Sequence, residues 1–131
     1  MKPESGHCLC GRTRYKFDPE AARDPRFCHG EAFRRATSAP VAALFSLPDS
    51  AWRWAGDRPG RYDTPDGSRH SFCSTCGSPL AIASARRPGE TAFHIASLDD
   101  PEHLAPERHA FFDEKPGWLR LSDGLPGQSV D

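Results

Sequence analysis

The chain has 131 residues (14.4 kDa), 17 basic and 18 acidic side chains, a formal charge of −1 and a pI near 6.6. That length fits a single domain spanning residues 1–131, and the near-neutral balance removes any bulk electrostatic case for nucleic acid, so no such partner is expected. With 11 glycines and 13 prolines, long helices are disfavoured and a mainly β chain is expected.

Met1-Lys2-Pro3-Glu4 lacks the apolar stretch of a secretion signal, and no apolar run reaches the ~20 residues of a membrane span. A cytoplasmic location follows as the expectation, with no membrane partner and with thiols kept reduced. Five cysteines, an odd number, also argue against a disulfide framework. The first pair is Cys8-Leu9-Cys10, followed by Gly11; the second is Cys73-Ser74-Thr75-Cys76, followed by Gly77. Together they supply four thiolates, the ligand set of a closed tetrahedral zinc site, and each glycine suits a tight turn that aims two sulfurs at one ion. Such an ion would staple the N-terminal region to the middle of the domain. The alternative is two unrelated reduced pairs.

Residues 12–17 alternate strictly, placing Thr13, Tyr15 and Phe17 on one face of a half-buried strand. Residues 41–45 and 52–55 are further apolar runs separated by Pro48. Residues 61–64 and 68–72 flank Pro65-Asp66-Gly67, a turn that makes a hairpin leading directly into Cys73. A second hairpin is predicted between 80–85 and 91–96, and one helical turn within 98–104, capped by Asp99 and Asp100. Residues 110–112 read as a last core strand, and the polar tail 122–131 is expected to fray. His94 reads as a satisfied strand residue, His7 as a donor to a zinc-bound sulfur, and His70, His103 and His109 as surface or rim groups. Trp52, Trp54 and Trp118 read as core or pocket walls.

The ordered succession Gly6-His7-Cys8-Leu9-Cys10-Gly11, Cys28-His29, Arg34-Arg35, Tyr62, Pro65-Asp66-Gly67-Ser68, Phe72-Cys73-Ser74-Thr75-Cys76-Gly77-Ser78, Leu98-Asp99-Asp100-Pro101 and Trp118 resembles the glutathione-dependent formaldehyde-activating enzyme / centromere protein V family. The resemblance runs from about residue 6 to about residue 126. It implies a β-tent fold of coiled antiparallel sheets with little helix, and a structural zinc on Cys8, Cys10, Cys73 and Cys76. It also implies carbon–sulfur lyase activity, joining formaldehyde to glutathione as S-hydroxymethylglutathione or reversing that bond, with glutathione or another small thiol adduct as partner.

In enzymes of that family a second, catalytic zinc sits on a Cys-His-Cys-x-x-Cys run. The run here is Cys28-His29-Gly30-Glu31-Ala32-Phe33, so Gly30 and Phe33 stand where the second and third cysteines would be. An open catalytic site needs about three protein ligands, so one structural zinc and no second ion is the expectation. Cys28 and His29 remain the candidate catalytic residues, in a divergent member of the family. Three other readings stand beside this one: a non-catalytic zinc-stapled binding module, a metal site rebuilt from Cys28, His29 and Glu31, and a reactive Cys28 thiol activated by nearby arginines. For that thiol the plain alternative is an inert cysteine buried beside Phe27 and Phe33.

Overall fold

The computed structural model describes residues 2–131, and in it ten strands form two sheets. In chain order they are β1 (Glu4–His7), β2 (Thr13–Phe17), β3 (Arg23–Cys28), β4 (Ala42–Pro48), β5 (Trp52–Gly56), β6 (Gly60–Asp63), β7 (Arg69–Phe72), β8 (Pro79–Ala83), β9 (Glu90–His94) and β10 (His109–Ala110), with one α-helix, α1 (Glu31–Thr37). The small sheet has the order β1-β2-β5 and the large one β10-β3-β4-β9-β8-β7-β6. All pairings are antiparallel except β10 on β3, so the large sheet is mixed. The fold is mainly β, as the composition implied.

Period-2 alternation decides which face each side chain covers. In β2 it buries Thr13, Tyr15 and Phe17 and leaves Arg14 and Lys16 in water. Tyr15 stacks on Phe93 of β9 with ring centroids 4.3 Å apart, and its hydroxyl meets Ser97 Oγ at 2.6 Å, so the small sheet docks without stranding a polar atom. Phe45, Leu47 and Phe93 face this core, while Leu44 and Ala92 point through the sheet into a second cluster with Cys28, Ala42 and Ile82. β4 is therefore covered on both faces, which explains its nearly unbroken apolar run.

Several local expectations need correction. β1, β3 and α1 were not predicted. β3 carries Asp24 at φ 54 inside a register shift between Arg23 and Arg26, a bulge that breaks any simple alternation. The last strand is only His109–Ala110, because Phe111 turns to φ 51 and Phe112–Glu114 forms a 3-10 turn. The turn within 98–104 is 3-10 at Pro101–His103, and Asp100 caps it with no side-chain hydrogen bond. Trp118 is 72 % exposed and walls neither core nor pocket. The tail expected to fray instead lies along β10. Gln128 N donates to His109 O at 2.9 Å, Phe111 N to Val130 O at 3.1 Å and Phe112 N to Gln128 O at 2.8 Å. No helix among the described residues is long and apolar enough to cross a membrane.

Candidate metal centre and adjoining cavity

Two backbone knuckles build the metal centre. The first connects β1 to β2, where Gly11 N donates to Cys8 O at 3.1 Å; the second follows β7, where Gly77 N donates to Cys73 O at 2.8 Å. Gly11 and Gly77 both adopt φ 81, the left-handed turn their positions after each pair required. Ser78 ties the knuckles together, its Oγ accepting from Leu9 N at 3.0 Å while lying 3.2 Å from Cys76 Sγ. The four sulfurs of Cys8, Cys10, Cys73 and Cys76 all lie within 4.8 Å of one another, with Cys8–Cys10 at 3.6 Å and Cys10–Cys73 at 3.7 Å. Tetrahedral zinc with Zn–S near 2.3 Å requires sulfurs ~3.8 Å apart, so the cage has the size the ion needs.

The electrostatics divide the set: despite the Arg12 N–H, burial and the neighbouring sulfurs push Cys10 up to about 11, whereas two others are drawn down. The Ser78 hydroxyl, with backbone N–H groups, brings Cys76 down to about 5, and the Cys76 N–H leads the groups that bring Cys73 to about 7. Thr13 N also donates to Cys8 Sγ at 3.4 Å. Partly ionised thiolates crowded this closely repel unless a cation sits among them, and N–H···S contacts of this kind orient metal-bound sulfur. The donors present fit a zinc ion. His7 does not join them; its Nδ1 pairs with Asp99, whose carboxylate also accepts from Ser5 Oγ at 2.5 Å. Asp99 thus anchors β1 rather than capping a helix.

A cavity of about 480 Å³ lies on the other face of the large sheet, bounded by Gly30, Phe33, His70, Ile82, Ala92 and Phe111 among others. Cys28, fully buried at the end of β3, stands beside it. Burial pushes the Cys28 thiol up, against the arginine-activated reading. Gly30, which opens α1, decides what the loop can hold. A Cβ placed on it would lie 3.7 Å from Cys28 Sγ, 3.7 Å from the Phe33 ring and 3.4 Å from the Phe111 ring. Positions 28, 30 and 33 therefore converge, as a three-ligand run must, but two of the three offer no donor atom.

His29 faces away from this cavity. Its ring Nε2 lies 2.8 Å from His109 Nδ1, and His109 Nε2 lies 2.8 Å from the Asp123 carboxylate. A carboxylate only accepts, so His109 donates from Nε2; with a neutral His109 ring, Nδ1 accepts from His29 Nε2–H, and the buried His29 Nδ1 is left without a partner. Burial, reinforced by His109 and Lys115, holds the His29 pKa down. The sequence pattern puts His109 at the surface or rim; it is 1 % exposed, stacked on Phe27 at 5.1 Å, and Asp123, 14 residues further on, satisfies its ring. Glu31 points into solvent and pairs with Arg35 at 2.8 Å. Cys28, His29 and Glu31 are thus not brought together, and among the described residues the four-cysteine set is the one cluster of metal-ligating groups.

The sequence profile described as "Glutathione-dependent formaldehyde-activating enzyme" matches residues 3–114. The chain belongs to that family. No curated protein matches it. Among solved structures, the crystal structure of a Rhodobacter sphaeroides protein, a Northeast Structural Genomics target, is similar with a TM-score of 0.61. It is 22 % identical, over 95 % of this chain and 99 % of that one, a likeness that speaks for the fold. The four-cysteine cluster falls on the positions read from the paired motifs.

Proposed function

We propose that this protein is a zinc-stapled member of the formaldehyde-activating enzyme family whose cavity beside Cys28 binds a small thiol adduct, glutathione-like in size, without catalytic zinc. The observation that carries this is the Gly30 position. It aims at the Cys28 sulfur and holds no side chain, while Phe33 fills the third ligand's place with an apolar ring. One thiol cannot hold an open catalytic zinc, which lowers a thiol pKa and polarises a carbonyl only when firmly ligated. Cys8, Cys10, Cys73 and Cys76 would hold the structural ion, whose work is to join the β1–β2 knuckle to the knuckle after β7. Cys28, a buried thiol, contributes packing and bulk to the cavity rather than a thiolate nucleophile.

Metal content tests the reading. Purified protein is expected to carry a single zinc and to leave S-hydroxymethylglutathione formation at its spontaneous rate. The double variant Gly30→Cys, Phe33→Cys should take up a second ion. A second ion in the natural protein, lost on His29→Ala, would overturn the proposal in favour of a rebuilt catalytic site.

A further inference from the structure

One wall of the same cavity is built from arginines, and their pairing is incomplete. Arg26, with a side chain 3 % exposed, donates from Nη1 to the Asp24 carbonyl at 2.9 Å and to Ser46 Oγ at 3.1 Å. Arg87 donates from Nη2 to Asp24 Oδ2 at 3.0 Å and sets its Nε 2.6 Å from Glu90 Oε1. Arg26 Nε and Arg87 Nη1 are buried and make no hydrogen bond. Both approach one atom, Asp131 Oδ1, at 3.8 Å and 3.9 Å, distances too long for a hydrogen bond. Asp131, Arg26 and Arg87 all line the cavity.

The charge balance of the wall and of the groups packed behind it points the same way, with Arg86, the other arginine of the lining, set over the Phe111 ring at 5.2 Å. Arg108 forks onto Asp24 at 2.9 Å through Nε and Nη2, and Arg23 reaches Glu90 at 3.0 Å. Four guanidiniums, Arg23, Arg26, Arg87 and Arg108, thus face two fixed carboxylates, Asp24 and Glu90, and Asp131 is the third anion. The other acids of the lining are engaged elsewhere: Glu31 with Arg35, Glu114 with the Glu31 N–H, and Asp66 with Thr64 and Ser68. Asp131 sits on a tail segment joined to the body by backbone bonds at Phe111 and Phe112, not by its own side chain.

We infer that Arg26 and Arg87 form a carboxylate-binding subsite of the cavity, loosely filled by Asp131 and occupied in its place by the carboxylate of a small ligand. Two converging guanidinium N–H groups with free donor capacity match a carboxylate, and Asp131 is a carboxylate held just beyond bonding distance. A cavity of about 480 Å³ suits a small molecule rather than a polymer. The inference rests on reading this cavity as a binding site. Asp131 then acts as an internal competitor that lowers apparent affinity by the fraction of time it fills the subsite.

Succinate, with uncharged succinamide as control, is titrated into the full chain, its Asp131→Asn variant and its Arg87→Gln variant, and amide NMR shifts are followed. Succinate but not succinamide should shift Gly30, Arg87 and their neighbours. Asp131→Asn should bind it about five- to tenfold more tightly, the worth of removing one competing ion pair, and Arg87→Gln at least about tenfold more weakly. Equal succinate affinity in the wild type and Asp131→Asn, or equal binding of succinamide, overturns the inference. Should Arg87→Gln fail to fold, the Asp131→Asn comparison decides alone, since that side chain makes no hydrogen bond the fold depends on. S-methylglutathione separates the two readings. Its binding, unchanged by Arg87→Gln, refutes the arginine subsite and keeps the cavity; Asp131-dependent succinate binding without it supports the subsite and refutes the thiol-adduct reading.

Discussion

His94 makes the fold sensitive to mild acid, and the size of the effect can be worked from its surroundings. It ends β9, with Phe33 edge-on at 6.5 Å between ring centroids, and burial first, then the nearby His70, bring its pKa from 6.5 to about 4. The folded protein therefore keeps this imidazole neutral where the unfolded chain protonates it, so stability is complete above pH 6.5 and falls as pH drops towards 4. Between about pH 7 and pH 5 the loss from this one group is about 2 kcal/mol, a large share of a domain's stability of about 5–15 kcal/mol. Urea unfolding of the wild type and His94→Gln at both pH values gives the answer as a difference of differences. Any destabilisation common to both proteins, including loss of metal from protonated thiolates and titration of His29, cancels. The variant should lose about 2 kcal/mol less than the wild type on acidification. Equal losses in the two proteins would show that His94 is not desolvated in the folded state and would refute the reasoning.

Chelation should unfold the protein or leave it protease-sensitive, because structural zinc supplies roughly 10–16 kcal/mol in small peptides, comparable to or above a whole domain's stability. Cys73→Ser should do the same, and an unchanged melting temperature in metal-free protein would sink the stapling argument. Gly67→Ala should lower stability by about 1–2 kcal/mol, as Gly67 adopts φ 92 in the β6–β7 turn. A Cβ there would meet only Ala85 Cβ at an ordinary 3.7 Å, so the cost is conformational, and an unchanged urea midpoint would remove it.

The parts of the fold legible in the sequence are those where local pattern and tertiary burial agree. Alternation over residues 12–17 became β2, and Pro65-Asp66-Gly67 became the turn before the second knuckle. The cysteine pairs were legible because a tetrahedral site fixes ligand type and spacing locally, leaving the distance between pairs free. β3 was hidden by its composition: Arg23-Asp24-Pro25-Arg26 looks like a solvated loop, and only Asp24 with the arginines gathered round it makes Arg26 tolerable at 2 % exposure. α1 was hidden for another reason, being seven residues long, opened by Gly30 with no side-chain cap bond and closed by Ser38 at φ 58. His109 and the tail were illegible locally, since the Asp123 carboxylate and Pro126–Val130 reach β10 through tertiary contacts that no strand or helix periodicity encodes.

Two supports hold the sheets together apart from the loop between β3 and α1. The knuckles bind the small sheet to the β7–β8 end of the large one. β4 holds the centre by burying Phe45 and Leu47 on one face and Leu44 on the other. Neither the knuckles nor the Phe45–Leu47 face passes through Gly30 or Phe33. The aromatic ring at position 33 packs with Phe111 over the cluster of Cys28, Leu44 and Ile82, giving apolar contact where a ligand to a hydrated dication would stand. Placing cysteines at positions 30 and 33 therefore tests more than metal uptake. If Gly30→Cys, Phe33→Cys protein folds only when a second ion is supplied, Phe33 has taken over packing work from a metal. If it folds equally well with one ion, the cavity wall tolerates either occupant, and no structural constraint fixes the residue types at positions 30 and 33.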